Sequence, residues 1–193
     1  MSVMNREGWL TEVARRLERI CFKAYALRPY RVTCGWPSRF ALSHKARRVG
    51  ECHALESSTA GVFELFISPV MDDPLEVAGT VAHELAHVVA GTDAGHGPLF
   101  RKVCWYVGLT SGKPTNVMPG KLMGVRIEEM VKDLGPYPHK AMRPKLTVVP
   151  LKPRPVKLEC ECGCLISIPR EWLERAGPPK CGCGELFTTP QES

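Results

Sequence analysis

The segment His83-Glu84-Leu85-Ala86-His87 holds the most chemically suggestive spacing in the chain. Two histidines at i and i+4 stand one above the other on a single helical face, about one turn apart, and that is the bite one Zn²⁺ needs. Glu84 is then set beside the metal, where it can take a proton from water without ligating. Zinc brings the pKa of a bound water down toward ~7 and polarises a carbonyl, so the set suits hydrolysis of a peptide or other amide bond. A buried His-Glu-His group without a metal would be costly to desolvate. The expectation is a zinc site with His83 and His87 as ligands and Glu84 as the general base.

A catalytic zinc takes three protein ligands and keeps a fourth position open. The third must come from beyond Gly91, where the chain turns. His96, between Gly95 and Gly97, is the first choice, because the glycines let the backbone bring the imidazole back over the metal. Asp93 is the rival: it falls six residues after His87, where metzincin-type proteases place a ligand, although those carry Gly where this chain has Ala90. Glu128 or Glu129, on a later helix, would be the gluzincin-like choice.

Cysteine usage points to a second metal. Of nine cysteines, Cys21, Cys34, Cys52 and Cys104 are scattered in apolar surroundings and read as small core hydrophobes. The other five crowd between Cys160 and Cys183. Met1 to Leu10 contains Arg6 and Glu7 and no apolar core, so it is not a secretory signal, and the chain is expected to be intracellular. Thiols stay reduced there, which favours metal over disulfides. Cys160-Glu161-Cys162-Gly163 and Cys181-Gly182-Cys183-Gly184 are separated by 18 residues between Cys162 and Cys181, close to four-cysteine ribbon spacing. Cys164 is a fifth thiol, and a Cys160–Cys164 pair also fits the usual range, so the choice among the first three stays open. A tail with so few large apolar residues needs such a staple to fold.

The elements that must position these groups are legible in outline. Trp9, Leu10, Val13, Leu17, Ile20, Cys21 and Ala24 recur at helical spacing, opposite Arg15, Arg16, Arg19 and Lys23, and Pro29 stops the run. Arg31–Gly35, Arg48–His53 and Gly61–Ser68 read as short strands, the last of them an edge to which an extended peptide could add. Met71–Gly91 is the central helix, with Asp73 as N-cap, Pro74 in first position, Glu76 three residues after the cap and Gly91 as the stop. Further helices are expected at Pro98–Val107 and Lys121–Leu134. From Pro136 to Lys157 the sequence turns to proline, lysine and arginine and reads as an extended, basic linker, with its domain bounds set at 143–157. Trp36, Trp105, Tyr106 and Trp172 are read as core or ribbon packing.

Length and charge bound the rest. The 193 residues suit one ordinary domain plus a small appendage, and 44% hydrophobic content suits a globular chain. No apolar run reaches the roughly 18 to 20 residues of a membrane span. The net charge of +6 conceals blocks. Residues 1–49 carry eleven Lys/Arg and three acids, whereas 50–99 carry eight acids and no Lys or Arg. Residues 139–157 hold six Lys/Arg and no acid. Basic flanks around an acidic middle suggest a polyanion that touches the flanks and avoids the centre.

His83-Glu84-Leu85-Ala86-His87, the turn to His96-Gly97, Phe100 three residues further, the preceding strand Phe63–Pro69 and the Asp73-Pro74 helix start together resemble the SprT-like metalloprotease family, which includes Spartan. With a C-terminal ribbon, the similarity spans roughly Trp9 to Phe187. The resemblance implies an α+β fold, a zincin-like domain over 1–142 with a short sheet, followed by a small β zinc ribbon over 158–193. It implies a zinc endopeptidase acting on DNA-bound or DNA-crosslinked proteins, with one catalytic and one structural Zn²⁺. By similarity the ribbon ligands are Cys160, Cys162, Cys181 and Cys183, though the family more often has two residues within each pair and this chain has one. Short chains of this type occur in bacteriophages, so the expected setting is a bacterial cytoplasm, with protein substrate and DNA as partners. The rivals are a non-enzymatic zinc-containing DNA adaptor and a hydrolase of small amides.

Overall fold

The computed structural model of the chain describes residues 4–43, 47–113, 116–143 and 154–189. It falls into two units, Met1–Pro144 and Lys145–Ser193, and mixes five α-helices with three small sheets among the described residues. The architecture is α+β. No described helix is long and apolar enough to cross a membrane.

Helix α1 (Arg6–Ile20) buries Trp9, Leu10, Val13, Ala14 and Leu17 at the spacing the sequence predicts. It ends earlier than Ala24. Cys21 and Phe22 donate backbone N–H groups to the Leu17 carbonyl, and the turn that follows buries Phe22 fully, so a core aromatic rather than Pro29 closes the helix.

Strands β1 (Tyr30–Cys34), β2 (Gly50–His53) and β3 (Phe63–Ile67) form a sheet in the order β1-β3-β2. Strand β3 is parallel to β1 and antiparallel to β2. Phe63, Leu65 and Ile67 alternate into the core, as a half-buried strand requires. The expectation that Gly61–Ser68 offers a free edge is corrected here. β3 is the central strand and its backbone groups are taken on both sides, so among the described residues the open edges are β1 and β2.

Helix α2 (Pro74–Ala90) starts at the predicted cap, where the Asp73 carboxylate accepts from the Leu75 and Glu76 N–H groups. From Val77 to Val88 every residue except His83 is buried. A helix without Lys or Arg is apolar almost all round, and α1, α3, α4 and the sheet enclose it. Helices α3 (Pro98–Val107) and α4 (Lys121–Leu134) lie where expected, joined by an unpredicted hairpin of β4 (Ser111–Lys113) and β5 (Asn116–Met118).

Beyond α4 the proline-rich composition misleads. Tyr137 is buried against Trp9, whose indole donates to the Gly135 carbonyl at 3.0 Å. His139 Nε2 lies 2.9 Å from the Pro69 carbonyl, which also accepts from the Met142 N–H at 2.7 Å. Residues 137–142 are therefore packed alongside the segment that leads into α2. Of the expected linker, residues 144–153 lie outside the described residues, and Val156 and Lys157 already belong to a strand.

The second unit pairs β6 (Val156–Glu159) with β7 (Leu165–Ile168), followed by a short α5 (Arg170–Ala176). Its buried core is Leu158, Cys160 and Phe187, too small to hold a fold without a further constraint.

The aromatic residues expected in cores are corrected as well. Trp36 is 41% exposed, Trp105 73%, Tyr106 63% and Trp172 55%. On α3 the buried stripe is Phe100, Val103, Cys104 and Val107, so positions 105 and 106 fall out of phase with it and face solvent. The four scattered cysteines do sit in or against the core, Cys104 fully buried.

Candidate functional site

On α2, one turn brings the His83 and His87 rings to a centroid separation of 5.2 Å. The return of His96 depends on backbone shape. A 3₁₀ turn at Thr92–Ala94 follows Gly91, and Gly95 adopts φ 47° with ψ −134°, a combination side-chain-bearing residues rarely reach. The His96 ring then lies 5.3 Å from His83 and 4.9 Å from His87, centroid to centroid. Phe100, the first buried residue of α3, stacks on His87 at 4.2 Å and 24° and touches the other two rings at 5.0 Å. It closes the apolar side of the cluster.

The ligand atoms of His83, His87 and His96 all lie within 4.8 Å of one another. His83 Nε2 and His96 Nε2 are 3.2 Å apart. A tetrahedral zinc with bonds of about 2.0–2.1 Å sets its nitrogens about 3.3 Å apart, so the three donors fit the ion. Burial, with the neighbouring His83, His96 and Arg48, pushes the His87 pKa down to about 3, and burial also lowers His96. Both rings are held neutral, the form that ligates. Among the described residues no fourth His, Cys, Asp or Glu joins this set. Asp93, Glu128 and Glu129 are exposed and stand outside it.

Glu84 is buried, and burial pushes its carboxyl up to about 8 against the opposing pull of Arg48. Sequence reasoning missed what confines it. A Cβ on Gly50 would stand 2.3 Å from Glu84 Oε1 and 2.7 Å from Thr80 Cγ2, so β2 approaches α2 closely only because residue 50 has no side chain. If the site hydrolyses peptides with a bound zinc, Gly50→Ala is expected to keep the metal and lower turnover by about 10- to 100-fold, since a displacement of ~1 Å can cost that much. Unchanged turnover in a peptide-cleavage assay would show that Glu84 needs no such confinement.

Also missed was the charge network at the head of β2. Glu51 accepts from the Ser38 N–H at 2.6 Å and Ser38 Oγ at 2.7 Å, pairs with Arg48, and lies 3.2 Å from His53 Nε2. Burial would raise the Glu51 pKa, but the Ser38 and Arg48 hydrogen bonds outweigh it and hold the carboxyl below its usual range. No local pattern links Ser38, Arg48 and Glu51; only the fold does. The Val49 carbonyl accepts from the Ser68 N–H at 2.8 Å, so antiparallel alternation turns the Glu51 and His53 backbone groups toward β3. Those of Gly50 and Cys52 are left on the open edge, beside Glu84.

In the second unit the two Cys-x-Cys-Gly segments form matching turns. The Gly163 N–H donates to the Cys160 carbonyl and the Gly184 N–H to that of Cys181, at 2.7 and 2.9 Å. The Cys160 and Cys181 amides donate across each turn to the carbonyls of Cys164 and Glu185. One intervening residue is thus enough to aim both thiols of a pair inward. Sγ atoms of Cys160 and Cys183 are 3.4 Å apart and those of Cys162 and Cys181 3.5 Å, near the ~3.8 Å of a tetrahedral Zn–S₄ site. All four lie within 4.8 Å of one another. The Cys164 amide, together with the neighbouring thiols, lowers the Cys162 pKa, which favours a thiolate. Cys164 itself is outside the set of four, and its thiol is pushed up to about 11 by Cys162 and Cys181.

Two donor sets that could hold metal, one of three histidines and one of four cysteines, are therefore present, and both suit zinc. Comparisons with protein-family models, curated proteins and solved structures find no match to this chain.

Proposed function

We propose that the chain is a zinc-dependent endopeptidase of the SprT-like kind, acting on proteins held on DNA. The observation that carries this reading is the three-histidine set with a buried glutamate beside it and no fourth protein donor among the described residues. Structural zinc sites are closed by four ligands, and catalytic ones keep a position for water or substrate. The four-cysteine set is of the first kind and the histidine set of the second. In this reading the first unit is a zincin-like domain and the second a structural zinc ribbon, working in the cytoplasm.

His83, His87 and His96 would hold the catalytic ion and Cys160, Cys162, Cys181 and Cys183 the structural one. A catalytic zinc supplies a Lewis acid for the scissile carbonyl and lowers the pKa of water. Glu84 accepts the proton of the attacking water and returns it to the leaving amine, the role its position beside His83 permits. The open edge of β2 offers the Gly50 and Cys52 backbone groups to an extended substrate strand. Arg48 adds positive charge to the site, and Glu51 fixes where its guanidinium lies. Apart from Arg48, the residues of the histidine site fall in the acidic 50–99 block, so phosphate is repelled from the site and drawn to the basic flanks.

The purified chain is expected to carry two zinc ions and to cut a basic protein bound to DNA. His96→Ala should lose one of them, with affinity falling by more than the roughly 10- to 100-fold cost of an outer-shell partner. Asp93→Ala should keep both. Metal analysis decides between them, and retention by His96→Ala with loss in Asp93→Ala would move the site. A chain with both zinc ions that cuts no DNA-bound protein would be the adaptor instead.

A further inference from the structure

The outer side of α3 is aromatic and basic. Phe100 on its inner stripe packs against the histidines, while Arg101, Lys102, Trp105 and Tyr106 face solvent, Trp105 at 73% exposure. Rings of this size normally carry core or interface energy, so their exposure together marks a binding surface. Helical spacing sets Arg101 one turn before Trp105 and Lys102 one turn before Tyr106. The Tyr106 ring meets Tyr25 edge-on at 5.9 Å, which extends the aromatic surface onto the turn after α1. Lys23 on that turn is exposed, as is Arg28 a few residues further on, whose guanidinium lies over the Phe63 ring at 4.6 Å. No Asp or Glu occurs in α3, nor anywhere between Arg19 and Arg48.

Charge of one sign selects a polyanion, and flat rings at the same place select one with accessible bases. A duplex keeps its bases stacked inside, whereas a single strand offers them. We infer that the outer face of α3, with Tyr25, binds single-stranded nucleic acid, Trp105 and Tyr106 taking bases and Arg101 and Lys102 taking phosphates. The inference rests on the nucleic-acid half of the reading above and not on its zinc half. A strand held there lies on the side of α3 opposite Phe100 and the histidines, leaving that site free for protein.

The test is fluorescence anisotropy of the full chain with a labelled oligo(dT) 12-mer and with a blunt duplex of equal length. Trp105→Ala should weaken oligo(dT) binding about 5- to 100-fold, the worth of one stacked base, and Trp105→Phe should restore most of it. Duplex binding should change little. Arg101→Gln with Lys102→Gln should shallow the logarithmic salt slope for oligo(dT) by about 1.4, at ~0.7 per phosphate contact. Photocrosslinking of oligonucleotide carrying 5-iodouracil should mark Trp105 or Tyr106. Wild-type affinity in Trp105→Ala, or crosslinks confined to the second unit, would overturn the surface and leave the nucleic-acid reading to the ribbon. An equal loss for the duplex would overturn base stacking. A chain that binds neither probe at low salt removes both the surface and the nucleic-acid half together.

Discussion

Glu84→Gln is expected to keep the full zinc content of the chain and to lower peptide cleavage by roughly 10² to 10⁴, the usual worth of a general base. The amide has the shape of the carboxylate and so suits the space against Gly50 and Thr80, but it cannot accept the proton. Metal analysis and cleavage kinetics on one preparation separate the two effects. A variant that still cuts would show that Glu84 is not the base. The same substitution has a signature in the metal-free protein. Burial raises the Glu84 pKa from an ordinary 4.5 to about 8, so between those values the folded chain holds a proton the unfolded chain releases. Glu84's contribution to stability is fully present below about 4.5 and is lost as pH rises toward about 8. Glutamine removes that dependence, and the metal-free variant should melt no lower than the metal-free parent at neutral pH.

The second large effect is expected in the tail. Cys181→Ser and Cys183→Ser should each unfold residues 154–189, because structural zinc supplies about 10–16 kcal/mol to small modules and the buried core there is only Leu158, Cys160 and Phe187. The first unit has its own extensive core around α2 and should stay folded. Zinc content should fall from two ions to one, and cleavage of a short peptide should persist. Loss of both ions from either variant would show one cooperative unit instead of two.

Short-range chemistry was legible without coordinates. Two histidines at i and i+4 must share a helical face, Asp73-Pro74 must begin a helix, and the α2, α3 and α4 ranges follow from periodicity and caps. These depend on contacts within one or two turns, which the order of residues determines directly. His96 was legible for a related reason: glycines on both sides allowed a return that the Gly95 backbone makes.

Long-range pairing decided the rest. Strand order put β3 in the middle and β2 at the edge, and strand propensity cannot distinguish those places because it measures fit to a pleated surface, not position in a sheet. Residues 137–142 looked like linker by composition, yet Tyr137 found Trp9, 128 positions away in sequence, and was buried. Trp105 and Tyr106 looked like core by type, and only the phase of α3 against the histidine cluster turned them outward. By itself the sequence determined that His83 and His87 share a helical face and which helix carries them, and the structure brought His96 to that pair and Cys160, rather than Cys164, to the other three thiols. The tertiary structure decided how Glu84 is confined, which edge is open beside it and which aromatic face is free, because each rests on contacts between segments that only folding brings together.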